Sequence, residues 1–301
     1  MIWLTWRQHR KQALATVAAL AALAAFLIPT GTSMRAAYGR LSLDEFGDRY
    51  GPLVFVSVLL LIVPLLVGLF WGAPVVAREV EHGTHRMIWT QGISRRHWAL
   101  VKCGMLGAAA TMFAVVYGAG LSWWYAPLSH IDVRESRFTE VFFDLQGVAP
   151  VGYTLFAVAL GVLAGTVVPK SLPAMALTLA GFTITRVLVA LLARPHYQRP
   201  AVADQILGAG TTAIPDGSWL LSSDVRQPDG TVVTTGSIRC PTGNTSCPAE
   251  TGLGLQPGAY NHHVFQPADR FWTFQLIEAG LFITLAVLLL WFAVRRIRRI
   301  A

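Results

Sequence analysis

GAPVVAREVEHGTHRMIWTQGISRRHWALVK, residues 72–102, is the stretch that decides how this chain folds. It lies between two long apolar segments. Pro52–Trp71 before it carries no charge over 20 residues, and Ala99–Trp124 after it carries only Lys102, at its start. A charged, glycine-containing insert held between two apolar spans sits at a membrane face. Its five Lys/Arg residues, Arg78, Arg86, Arg95, Arg96 and Lys102, assign that face to the cytoplasm. Within it, Ala77–Thr84 reads as a helix that Gly83 ends, and a second helix starts after Ser94, a good N-cap residue. Glu79 and Glu81 are the only acids on that face, so pairing with Arg78, Arg86, Arg95 or Arg96 is expected to fix the loop's shape.

Working outward, 54% of the 301 residues are hydrophobic and only 13% charged, about half the charge of an ordinary soluble domain. The chain therefore reads as an all-α polytopic membrane protein. Six stretches are long and apolar enough to span: 12–29, 52–73, 98–124, 148–169, 172–193 and 272–294. A cleaved signal peptide is the alternative for the first. The long Met1–Gln12 lead and the poor cleavage site after Ile28-Pro29 favour a retained span. Six spans put both termini on one side. The inner segments then hold 13 Lys/Arg against two acids, a net of +11, and the outer segments ten against 13, a net of −3. The high pI of 9.9 is thus a topology signal that places both termini in the cytoplasm, and it gives no support to nucleic-acid binding.

The division expected is residues 1–193 for five spans with the 72–98 loop, 194–271 for an extracellular lobe, and 272–301 for the sixth span with a basic tail. Residues 1–11, where Trp3, Leu4 and Trp6 interleave with Arg7, Arg10 and Lys11, suit a helix lying in the inner interface. Residues 125–147 mix Phe138, Phe142 and Leu145 with acids, as a surface helix would. The 194–271 lobe is rich in Gly, Pro and Thr and poor in periodicity. Thr231–Ile238 is its best strand candidate. Cys240 and Cys247 fall in this segment, where an oxidising exterior favours a disulfide over a metal site, while Cys103 reads as a small packing residue.

Motifs for chemistry on this chain are lacking. Gly165 to Lys170-Ser171 imitates a phosphate loop but lacks the glycine before the lysine and sits in an apolar span. His82 and His85 are three apart, where a zinc-protease helix needs four, and Gly83 interrupts them. The adjacent His262 and His263 point apart in regular structure. Gly161 and Gly165, and Gly104, Gly107, Gly118 and Gly120, suit close helix packing. Arg186 and Glu278 are the only ionisable residues well inside the expected spans. Each lies about six residues from the outer end, roughly 9 Å deep, so an ion pair between spans five and six is expected. Snorkelling of Arg186 to the headgroups is the alternative.

Arg78-Glu79-x-Glu81-x-Gly83-Thr84, followed by Ser94-Arg95-Arg96 and then Lys102, resembles the cytoplasmic loop of ABC-2 type transporter permeases. Glu79 with Gly83-Thr84 matches that family's Glu-x-x-x-Gly-Thr element, and Ser94-Arg95 with Lys102 matches its later Ser-Arg and Lys element. The family's proline before Ser-Arg is absent, with Gly92 near its place. Trp3-Leu4-Thr5-Trp6-Arg7-Gln8 and Arg194-Pro195-His196-Tyr197 look like the actinobacterial branch. The resemblance covers nearly the whole chain. It implies the permease subunit of an ATP-driven exporter in the cell membrane, with no catalysis of its own. It further implies an ABC ATPase partner carrying ATP and Mg, and a homodimer or heterodimer with a second permease. Arg78, Glu79, Glu81, Gly83, Thr84, Ser94, Arg95 and Arg96 would form the coupling loop. The competing reading is a non-transporting accessory, immunity or sensing protein that binds through the outer lobe. A secondary transporter ranks third, since inverted repeats and broken charged helices are not evident.

Overall fold

The computed structural model of the chain describes residues 2–81, 95–128, 137–168, 170–208, 214–240, 243 and 251–297, with backbone alone for 2–13, 43, 80, 95, 96, 99 and 140. Two compact units emerge. Met1–Ile131, Val141–Val189 and Gln275–Ala301 form the first; Asp132–Glu140 and Ala190–Phe274 form the second.

The first unit is a helical bundle. Among the described residues, six helices are long and apolar enough to cross a membrane: Leu14–Ala37, Leu53–Glu79, Leu100–Tyr125, Ala149–Val167, Ser171–His196 and Ala268–Ile297. The chain is a multi-pass membrane protein. Helix α1, Ile2–Ala37, runs unbroken through Pro29, so residues 2–11 continue the first span instead of forming a separate interfacial helix. Beside the missing Pro29 N–H, the hydroxyls of Thr30 and Thr32 donate to the carbonyls of Phe26 and Ile28 at 2.7 and 2.9 Å. A short helix α2, Leu43–Tyr50, follows, opened by a capping box between Ser42 and Glu45.

The second span is built in pieces: α3 (Leu53–Leu60), α4 (Val63–Val67), a π-helical turn (Gly68–Gly72) and α5 (Ala73–Glu81). Pro64 lies in the first turn of α4, where its absent N–H costs least. At the break, the Tyr117 hydroxyl donates to the Leu60 carbonyl at 2.5 Å. The helix expected over 77–84 is the far end of this same span, because α5 continues it to Glu81 without a loop. The remaining helices are α6 (Arg95–Tyr125), the short α7 (Glu140–Leu145), α8 (Ala149–Val167), α9 (Ser171–Leu188) and α10 (Phe271–Ile297).

Helix α8 is the centre of the bundle: 72% of its most apolar window is buried, against 11% for the first and fifth spans. Its small residues explain this. A Cβ on Gly161 would lie 2.6 Å from the Gly68 carbonyl oxygen, and one on Gly165 2.7 Å from that of Ala73. Conversely, a Cβ on Gly72 would come within 2.5 Å of the Val158 carbonyl oxygen. Four glycines therefore let the π-turn and α8 touch backbone to backbone. Gly104, Gly107 and Gly120 of α6 meet nothing within 4 Å, so these do not serve packing inside the bundle.

The second unit holds a four-stranded antiparallel sheet in the order β1-β4-β2-β3, with β1 Ala201–Ile206, β2 Trp219–Arg226, β3 Val232–Thr235 and β4 Tyr260–Gln266. Only β3 falls in the expected stretch. The others escape a hydropathy pattern because the faces are inverted: Asn261, His263 and Gln266 are buried, while Val202 and Ile206 are exposed. Each buried polar group has partners. Asn261 exchanges hydrogen bonds with both backbone groups of Ile238 at 2.9 and 3.0 Å, and Gln266 donates to the carbonyls of Pro195 and Gln198. Cys240 is disulfide-bonded; Cys247, its expected partner, lies outside the described residues.

Candidate functional site

Two charged sites occupy opposite ends of the bundle. The first lies where α5 ends and α6 begins. Val75 and Val76 are buried on α5, and Glu79, three and four residues on, continues their face inward. There it pairs with Lys102 of α6, also buried, whose ammonium sits 5.0 Å from the centre of the Trp98 ring. Arg78 is one residue off that face and exposed. The expectation gave Glu79 an arginine of the loop as partner; the buried stripe of α5 brings it to Lys102, while Arg86 and the side chains of Arg95 and Arg96 lie outside the described residues.

Glu81 reaches a different helix. Its carboxylate accepts from the Ser171 backbone N–H at 3.2 Å and from the Ser171 hydroxyl at 2.8 Å, and so caps the start of α9. The end of span two is thereby tied to span three through Glu79 and to span five through Glu81. Gly83, Thr84 and Ser94 lie outside the described residues. Arg95 and Arg96 begin α6, with backbone alone described.

The second site sits at the other end. Arg186 of α9 donates through Nη1 to Glu278 Oε1 of α10 at 3.0 Å, so the structure brings the two span residues together. It also adds what the sequence reading left out. Arg186 Nη2 pairs with Asp144, carried on α7 between Phe143 and Leu145, both buried. Tyr153 of α8 lies with its ring 3.6 Å below the guanidinium, and its hydroxyl is 2.6 Å from Glu278 Oε1 and 3.1 Å from Asp144 Oδ1. Three charges and a phenol from four helices thus form one network. Glu278 is fully buried, whereas the Arg186 and Asp144 side chains keep 14% and 8% exposure, which makes these two the accessible members.

One turn before Glu278, Gln275 splices the surrounding backbone. Its Oε1 accepts from Val148 and Ala149 N–H at 3.1 and 2.9 Å, closing the start of α8, and its Nε2 donates to the Phe143 carbonyl at 2.7 Å. Gly147, at φ +69°, leaves room for it: a Cβ there would lie 2.7 Å from Gln275 Oε1. Asp144 and Gln275 were open to detection in principle. Asp144 is the single charge in a Phe-Phe-Asp-Leu run, and Gln275 stands at helical spacing from Glu278.

Among the described residues, no group of three or more His, Cys, Asp or Glu is arranged to hold a metal ion. His262 and His263 point to opposite faces of β4, towards Asp204 at 2.6 Å and Ser223 at 2.9 Å respectively.

No curated protein and no solved structure matches the chain. The family described as ABC-2 membrane transporter related matches residues 17–194, more than half of the chain. That region runs from the first span through the fifth and takes in the Glu79–Lys102 pair, the four-glycine crossing and Arg186. Membership implies an ABC ATPase as a separate partner. The chain belongs to the ABC-2 membrane transporter related family and is a permease-type membrane component of an ABC transporter.

Proposed function

We propose that the chain is the permease subunit of an ATP-driven exporter, working as a dimer of six-span units with an ATPase partner that carries ATP and Mg. The excess of Lys/Arg beside one set of span ends supports termini and a 72–98 loop in the cytoplasm, with residues 194–271 outside. Arg78, Glu79, Glu81, Gly83, Thr84, Ser94, Arg95 and Arg96 form the element that docks on the ATPase.

The observation that carries this reading is the double tie at the end of α5. Force delivered to the loop enters span two directly, span three through Glu79–Lys102, and span five through Glu81–Ser171. A salt bridge shielded from water resists being pulled apart more than an exposed one, so this end moves as a block. Glu81→Ala, exposed and away from the core, tests it in the purified complex with the ATPase. The variant should lose much of the export coupled to hydrolysis. Normal coupling in Glu81→Ala, together with normal coupling in Lys102→Met, would remove the assignment.

A further inference from the structure

At the end of the bundle that carries the Glu79–Lys102 pair, α6 and α10 leave a groove of about 550 Å³ between them. Leu100 of α6 and Leu290 and Trp291 of α10 are among its walls, and the bare backbone of Gly104 makes its floor. A Cβ on Gly104 would meet nothing within 4 Å. Leu100 and Trp291 are exposed, so the groove opens on the lipid side of the bundle. Arg295 is the one charged residue lining it, and no carboxylate does. Arg295 stands in the last turn of α10, its guanidinium carbon 3.6 Å from the centre of the Trp291 ring. Such a contact uses the face of the guanidinium and leaves its N–H groups at the edge for an anion. Among the described residues, no acceptor takes those N–H groups. The two acids of this end are engaged elsewhere, Glu79 with Lys102 and Glu81 with Ser171.

We infer that an anionic phospholipid occupies this groove, one acyl chain lying over Gly104 between α6 and α10 and its phosphate on Arg295. The charge selects the head. A phosphate takes two parallel hydrogen bonds from a guanidinium, and basic pockets between span ends are where anionic head groups bind. The walls select the rest of the molecule. A free phosphate would satisfy Arg295 and leave the apolar surface bare, whereas an acyl chain removes that surface from contact with mobile lipid. Arg296 is exposed at the next position and already donates through Nε to the Thr166 carbonyl at 3.3 Å. It adds positive potential, while Arg295 makes the direct contact. The inference needs only the membrane setting and is independent of the exporter reading.

The test uses the full chain without ATPase. Phosphatidylglycerol titrated into the detergent-purified chain should raise the midpoint of thermal unfolding, and phosphatidylcholine should do so only at higher concentration. Arg295→Gln should raise the phosphatidylglycerol concentration needed by about tenfold, the loss of a charge-assisted contact, and Arg295→Lys should recover part of it. Location is read in nanodiscs with phosphatidylglycerol bearing a diazirine on its acyl chain, adducts being mapped by mass spectrometry. Adducts are expected in 100–107 and 290–294. Gly104→Trp, which fills the groove from its floor, should remove them. Gly120→Trp, at another α6 glycine with open space beside it, should not. Equal effects of the two lipids, the same stabilisation by inorganic phosphate alone, or labelling unchanged in both Gly104→Trp and Arg295→Gln would each overturn the site. Labelling spread evenly over exposed apolar residues such as Phe55 and Met112 would do the same. So would a disulfide between two copies of Leu100→Cys, which would mean that a second copy fills the groove.

Discussion

Glu79–Lys102 and Arg186–Asp144–Glu278 answer the same problem, a charge in an apolar bundle, in different ways. The first pairs a carboxylate with an ammonium beside the end of its helix, with the indole of Trp98 against the lysine. The second gathers four helices around one guanidinium and places Glu278 out of reach of solvent. A pair joins two elements. A network sets the mutual position of several helices at once, and its members fail together. The difference suits one end that transmits a push and another that holds its form.

The largest effect is expected at Glu278. Glu278→Ala removes a fully buried carboxylate that holds Arg186 and Tyr153, leaving a cavity with Asp144 as the remaining counter-charge, and should lower stability by about 2–4 kcal/mol. Thermal unfolding in detergent measures it, and Arg186→Ala should cost a similar amount. A double-mutant cycle with no coupling between the two would return Arg186 to snorkelling and end the contrast between the sites. Asp144→Asn keeps the shape and removes one of two counter-charges, so its loss should be smaller than that of Glu278→Ala. An equal loss would show that both acids count alike. Lys102→Met should cost about 1–3 kcal/mol, because the Glu79 carboxylate near its helix end can be rehydrated more easily than Glu278. A loss as large as that at Glu278 would erase the distinction.

Two smaller effects lie outside the bundle's interior. Burial lowers the pKa of His263 below its ordinary value, with His262 adding to the shift. A base held neutral in the fold contributes stability above the unfolded pKa near 6.5, and that contribution fades as pH falls through 6.5. Amide hydrogen exchange in β4 should therefore speed up below this pH in wild type and not in His263→Gln. The smallest effect concerns Glu45, whose carboxyl is held below the usual range by the Ser42 backbone N–H and then the Ser42 hydroxyl. Its contribution is present above the unfolded pKa near 4.5 and is lost as pH falls below that value, so only α2 should fray.

Legibility in the sequence differed by region for physical reasons. The spans stood out because a bilayer demands long apolar helices, and the depth match of Arg186 with Glu278 followed from counting 1.5 Å per residue. Asp144 was hidden because hydropathy assigns a short charged segment to the surface, while packing of Phe142, Phe143 and Leu145 draws it inward. The extent of the first span was misjudged at Pro29, which helices in apolar surroundings tolerate more readily than helices in water. The glycines could be counted but not sorted: Gly161 meets Gly68 and Gly72, Gly165 meets Ala73 and Ala77, and three glycines of α6 meet nothing within 4 Å. The sheet was the least visible element, since Asn261 and His263 fill positions where alternation calls for apolar residues.

The four-glycine crossing has a kinematic consequence. Where Gly68 and Gly72 lie against Ala157, Val158 and Gly161, and Gly165 against Ala73 and Ala77, no flexible side chain stands between the two backbones to absorb a shift. Sliding one helix past the other by even an ångström would drive carbonyl oxygens into neighbouring main-chain atoms. This crossing therefore removes a degree of freedom: the middle of span two and α8 travel as one rigid member. Any rearrangement of the bundle has to turn about that member.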